Sequence, residues 1–151
     1  MEIQRCGNIL PTGIQHVCHR DITVNGLTIP ADTVIVPVLT EVLKGEHWEN
    51  GMQFKPERFL DEDGMLKLDD HFIPFSMGKR RCLGETLARA ELFLFFTSLI
   101  HQYRFLPQVE GDYPTEDYTP GFTILPAPFK GRLVNRLEGG NDFGILSIIS
   151  A

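Results

Sequence analysis

No apolar run in the chain approaches the roughly 20 residues that a membrane-spanning helix needs, so there is no transmembrane segment to read. The N-terminus lacks the basic-then-apolar order of a secretory signal. Three cysteines, an odd and sparse number, do not make a disulfide framework. A reducing compartment, or a special role for one of them, is the better expectation. Positive charge is in deficit: 14 Lys and Arg stand against 20 Asp and Glu, for a net charge of −6. With a pI of about 5.3, wholesale binding to nucleic acid or to an anionic membrane is disfavoured. There is also no Gly-rich phosphate loop, no nucleophile elbow and no internal repeat.

What is present fits one ordinary domain by size, at 151 residues. Hydrophobic residues at 42% and charged ones at 23% argue against global disorder. Fourteen glycines and ten prolines point to a loop-rich architecture. The opening MEIQR reads as helix without a Ser, Thr, Asp or Asn cap ahead of it, broken by Gly7 and Pro11. TVNGLTI carries Asn25-Gly26 between alternating residues, a strong hairpin signal. Pro30 and Pro37 mark strand edges. A short helix is expected over 40–47, capped by Thr40 and stopped near Gly45.

Residues 48–84 read as irregular, and a structureless stretch of that length inside a domain usually has a functional reason. The clearest helix follows over 85–103. Its apolar residues (Leu87, Ala90, Leu92, Phe93, Leu94, Phe95, Phe96, Leu99, Ile100) leave little polar face, which predicts burial nearly all round. Beyond it, to about Arg136, short strands and turns are expected. No linker makes a case for two domains.

The chemistry concentrates where the irregular stretch meets that helix, in Phe75-Ser-Met-Gly-Lys-Arg-Arg-Cys-Leu-Gly84. Five fixed residue types at the spacing FxxGxRxCxG arise by chance in on the order of one in several million windows. Gly78 permits a turn or bulge that a side chain would forbid. Cys82 falls at a helix start, where the positive end of the helix and free N–H groups favour a thiolate. Gly84 removes a side chain where a flat, bulky group would approach the backbone, and Arg80 offers a planar donor fork suited to a carboxylate. A lone cysteine is more often buried and inert; the surrounding pattern reverses that preference.

This segment resembles the haem-binding loop of the cytochrome P450 family, in which the Cys thiolate is the axial ligand of haem iron. The resemblance implies that Cys82 ligates the iron of haem b and that Arg80 pairs with a haem propionate. It also implies that Phe75 packs near the sulfur, with Gly78 and Gly84 shaping the loop. Two further family elements occur in order: the ExxR pair Glu2 and Arg5, and Pro56-Glu-Arg-Phe59, whose Arg58 would complete a structural Glu-Arg-Arg triad. EIQR, LPTGIQH and FIPFSMGKRRCLGETLARAELFLF are similar to the microsomal branch of the family. On that pattern His16 contacts a propionate, Leu10, Ile14 and Gln15 border the substrate pocket, and Phe122 and Thr123 border it from the other side.

The implied fold is mainly α with small β-sheets (α+β): residues 1–136 as the C-terminal part of the family's domain, and 137–151 as an atypical tail without an assigned role. The implied parent is a membrane-anchored monooxygenase of the endoplasmic reticulum. It takes electrons from NADPH through a flavoprotein reductase and uses O₂ on a small hydrophobic substrate, with no nucleic-acid partner. Lys79 or Arg81 would help to dock the reductase. The upstream helix that handles oxygen protonation in the family is missing, so the chain alone is expected to be inactive. The alternative is a truncated, non-catalytic haem-binding or interaction protein. A zinc site built from Cys6, Cys18, His16 and His19 matches no regular ligand spacing and is disfavoured.

Overall fold

A computed structural model describes residues 1–136, and 142–148 as backbone. The chain divides into two compact units, residues 1–81 with 122–124, and 82–121 with 125–151.

The first unit opens with helix α1 (Glu2–Gly7), for which Met1 is the N-terminal flank without a side-chain cap. Asn8, at φ 38°, ends it in the left-handed conformation that Asn tolerates, so the break comes one residue after Gly7. Strand β1 (His16–Val17) pairs antiparallel with β4 (Val34–Ile35), and β2 (Ile22–Val24) pairs with β3 (Leu27–Ile29). Asn25 and Gly26 join β2 to β3 with φ of 48° and 81°. Positive φ at both positions is the type I′ pattern that the Asn-Gly pair predicted.

Helix α2 (Leu39–Lys44) is shorter than expected and is flanked by Val38 rather than capped by Thr40. The Thr40 hydroxyl is already committed: it accepts from Asn8 Nδ2 at 2.7 Å and bonds the Pro11 carbonyl at 3.2 Å. Gly45 ends the helix as expected, its N–H donating to the Glu41 carbonyl. The stretch that follows is irregular, with single 3₁₀ turns at Pro56–Phe59 and Gly78–Arg80. What holds it is a core of Trp48, Phe59 and Phe72, all at least 92% buried. The rings meet at centroid distances of 5.6 Å (Trp48–Phe59) and 5.2 Å (Phe59–Phe72), tilted and edge-on geometries that aromatic pairs prefer.

In the second unit, helix α3 (Glu85–Gln102) runs into strand β5 (Tyr103–Pro107). Strands β6 (Tyr118–Thr119) and β7 (Leu125–Pro126) form a small ladder. The sheet order is β5-β8-β9, with β8 (Phe129–Asn135) between β5 and β9 (Asp142–Ile148), antiparallel throughout and irregular between Arg132 and Val134. Apart from the backbone of β9, the tail 137–151 lies outside the described residues.

One expectation fails here. Helix α3 has the predicted length but no buried residue, and Phe93, Phe95 and Leu87 are more than 60% exposed. Its apolar residues surround the helix, and the three-stranded sheet of its own unit does not wrap it. Among the described residues no helix is long and apolar enough to cross a membrane.

Candidate functional site

A buried polar assembly lies in the first unit, around Glu2. Glu2 and Arg5 are 4% and 0% exposed, and one helical turn sets them side by side. Arg5 donates in a fork, Nε to Glu2 Oε2 at 2.7 Å and Nη2 to Oε1 at 2.8 Å. Its remaining N–H groups reach backbone carbonyls of Leu43 (2.7 Å), Gly51 (2.6 Å) and Gln53 (3.1 Å). Arg58 Nε reaches Glu2 Oε1 at 3.0 Å, and the Lys55 N–H reaches the same oxygen at 2.9 Å. Burial alone would raise the Glu2 pKa. The hydrogen bonds from Arg5, Lys55 and Arg58 outweigh it and hold the carboxyl at about 2, below its ordinary 4.5. Glu2 in turn raises Arg5 further, against the cost of burial.

The Arg5 and Arg58 guanidinium carbons lie over the Trp48 ring, 5.3 and 5.8 Å from its centroid. The Trp48 indole N–H donates to the Val42 carbonyl at 2.8 Å. Among the described residues no buried side-chain polar atom lacks a partner. The three residues singled out as a triad therefore meet in one network. It fastens α1 and the end of α2 to the irregular stretch that leads to Pro56-Glu-Arg-Phe59.

That stretch ends at the cysteine segment. Gly78 has φ 73°, a left-handed conformation that glycine adopts without strain, and Ser76 also adopts positive φ at 62°. Phe75 is half-buried, whereas Lys79, Arg80 and Arg81 are exposed. Among the described residues no carboxylate lies within ion-pair distance of Arg80. Cys82 is exposed, with a free thiol, two residues before Gly84, the flank of α3. A Cβ built on Gly84 would meet nothing nearer than the Cys82 sulfur, at 4.0 Å. The backbone beside the sulfur is open to a flat ligand. An exposed thiol at the N-terminus of an 18-residue helix, flanked by bare glycine backbone, suits a thiolate-ligated planar group.

The remaining predicted residues divide by position. His16 is partly buried in β1, opposite Ile35. Leu10 is half-buried, and Ile14 and Gln15 are exposed. The Ile124 N–H donates to the Ile9 carbonyl at 2.8 Å, next to the predicted residues Thr123 and Leu10. Phe122, however, is 75% exposed. Cys6, Cys18, His16 and His19 form no donor cluster. Cys18 is buried, and Cys6 takes part in the Glu2 network, where burial raises its thiol pKa.

Asn8 escaped the sequence reading. It is 4% exposed and ties the end of α1 to Thr40. Asn after a short helix is the only signal that marks it. The carbonyls of Leu43, Gly51 and Gln53 carry no signal at all, because any residue supplies a carbonyl.

A family model for cytochrome P450 matches residues 1–132. Among curated proteins the chain is 45% identical over 130 residues to Cytochrome P450 2D14 of Bos taurus, covering 85% of this chain and 26% of that protein. It is 45% identical over 139 residues to Cytochrome P450 2K1 of Oncorhynchus mykiss, covering 90% and 28%. Against the Vitamin D(3) 25-hydroxylase of Sus scrofa the identity is 42% over 130 residues, covering 85% and 26%. The chain thus spans about a quarter of the length of the curated relatives it matches.

Proposed function

The chain belongs to the cytochrome P450 family, and from that premise we propose that it is the C-terminal, haem-binding part of a microsomal haem–thiolate monooxygenase. Members of the family are haem-iron monooxygenases whose cofactor is haem b. The observation that carries the reading to particular atoms is the exposed Cys82 thiol at the start of α3, beside the open backbone at Gly84.

In this proposal Cys82 is the residue that would hold the haem iron, through its sulfur at the start of α3. Arg80 and His16 would contact the propionates, and Phe75 would pack near the sulfur and tune it. Gly78 lets the loop turn, and Gly84 leaves it free of a side chain where a ring would approach. Glu2, Arg5 and Arg58 hold the stretch that presents the loop, as a positioning network rather than a reacting one. When bound, thiolate-ligated haem supplies the electronic push for O–O cleavage. Leu10, Ile14, Gln15, Phe122 and Thr123 border a small hydrophobic substrate.

Electrons come from NADPH through a flavoprotein reductase, which the exposed Lys79 or Arg81 helps to dock. Reversing Lys79 or Arg81 to Glu weakens association with the reductase and flattens its salt dependence; unchanged values exclude a docking role. The parent resides in the endoplasmic reticulum membrane. A second reading, a non-catalytic haem-binding or interaction protein, is favoured by the uncovered apolar surface of α3.

The spectrum of the reduced, carbon-monoxide-bound chain tests the proposal. A red-shifted Soret band that vanishes in Cys82→Ser is the expected result. Haem uptake without that band refutes thiolate ligation, and no uptake refutes haem binding by this chain. With reductase and NADPH the 151-residue chain is expected to give no oxygenated product, and product formation would exclude the second reading.

A further inference from the structure

A second cluster of donors lies in the irregular stretch, apart from Cys82. His47 Nε2 is 3.1 and 3.0 Å from the two carboxylate oxygens of Asp69. His71 Nδ1 is 3.3 Å from Asp69 Oδ1, and the His71 backbone N–H donates to the same oxygen at 2.8 Å. The two imidazoles stack on each other at 3.5 Å between centroids and 21° between planes. Three potential ligand atoms, one from each residue, lie within 4.8 Å of one another. The residues come from either side of the Pro56–Phe59 turn, with Asp69 22 positions after His47.

The positions of the two imidazoles are anchored from beneath. The residue after His47 is Trp48, the residue after His71 is Phe72, and both belong to the one buried aromatic core, joined through Phe59. The His47 ring also stands edge-on to Trp48, at 5.2 Å and 88°. Above that core the side chains of His47 and His71 are 39% and 51% exposed, so an ion has a path in.

We propose that His47 Nε2, the Asp69 carboxylate and His71 Nδ1 bind one divalent transition-metal ion of zinc's class, with water completing the shell, and that the ion clips together the segments before and after the Pro56–Phe59 turn. Two imidazoles and a carboxylate are donors that zinc takes readily. Zinc–ligand bonds of about 2.0–2.1 Å place tetrahedral ligands about 3.4 Å apart, close to the N–O separations of 3.0–3.3 Å seen here. Binding displaces the imidazole protons that now hold the carboxylate. It also requires the rings to fan out of their stack so that their lone pairs converge, a rotation open to side chains this exposed. Magnesium and calcium prefer all-oxygen shells and are expected to be rejected.

The test uses the whole chain, labelled with ¹⁵N and free of haem, with zinc ion as the probe. One equivalent is expected to shift His47 Nε2 and His71 Nδ1 together, leaving His16, His19 and His101 in place. Competition against a chromophoric chelator should show affinity falling by about tenfold or more in His47→Ala and in His71→Ala, since each removes a direct ligand. Shifts at His16 or His19 instead, no saturable shift, equal response to magnesium, or undiminished affinity in both variants would each overturn the proposal. The nitrogen shifts need no variant, so they decide the matter even where a substitution disturbs folding.

Discussion

Glu2 carries two guanidinium groups and a backbone N–H on a carboxylate that is 4% exposed. Glu2→Gln keeps the shape but strands the buried Arg5, a loss that typically costs about 3–5 kcal/mol. Urea unfolding followed by the fluorescence of Trp48, the chain's one tryptophan, should show that drop. Acid acts on the same group. The folded-state pKa near 2 lies below the ordinary 4.5, so the unfolded chain takes up the proton first. The contribution of Glu2 is complete above pH 4.5 and is lost as pH falls from 4.5 towards 2. Glu2→Gln should remove that part of the acid limb, as measured by the unfolding midpoint against pH. The ExxR spacing made this pair legible in the sequence. The carbonyls that complete the shell of Arg5 were not, because only the folded path of the backbone brings Leu43, Gly51 and Gln53 to one point.

At the scale of elements, α3 and the β2–β3 hairpin show what local pattern does and does not decide. Asn25-Gly26 specified its turn, and Gly26→Val, at φ 81°, should cost about 1–2 kcal/mol from backbone strain alone. The pattern of α3 set its length but not its cover. Fully burying a Phe side chain is worth roughly 1.5–3 kcal/mol, so the exposed Phe93 and Phe95 favour association with any apolar surface. The chain should therefore bind the dye ANS and self-associate in sedimentation. Phe93→Lys with Phe95→Lys should reduce both, while the unfolding midpoint reported by Trp48 stays in place. Persistent dye binding in that variant would show that the apolar surface lies elsewhere. Thr40 illustrates the opposite limit: a good capping residue was drawn away by a tertiary partner, the Asn8 side chain.

For the molecule as a whole, the two units differ in how they are held. The first has an aromatic core and a fully satisfied buried ion network. The second carries the longest helix with no buried residue on it, and helices draw most of their stability from packing. Far-UV circular dichroism, dominated by α3, should decline at lower urea than Trp48 fluorescence. Coincident transitions would show one cooperative unit instead. The chain spans 26% of the length of relatives such as Cytochrome P450 2D14 of Bos taurus.

Arg58, 56 positions from Glu2, was assigned by resemblance; the Asn-Gly hairpin, the long helix and the Glu2–Arg5 pair could be read directly from the sequence. Each of these three is written in short-range spacing, where dihedral preference or one helical turn decides the outcome. Tertiary structure alone decided the rest. It gathered carbonyls around Arg5, took Thr40 from its cap, left α3 bare and brought His47 to Asp69 and His71 above a shared aromatic core. Those arrangements depend on residues tens of positions apart meeting in space, and no local pattern encodes which of them will meet.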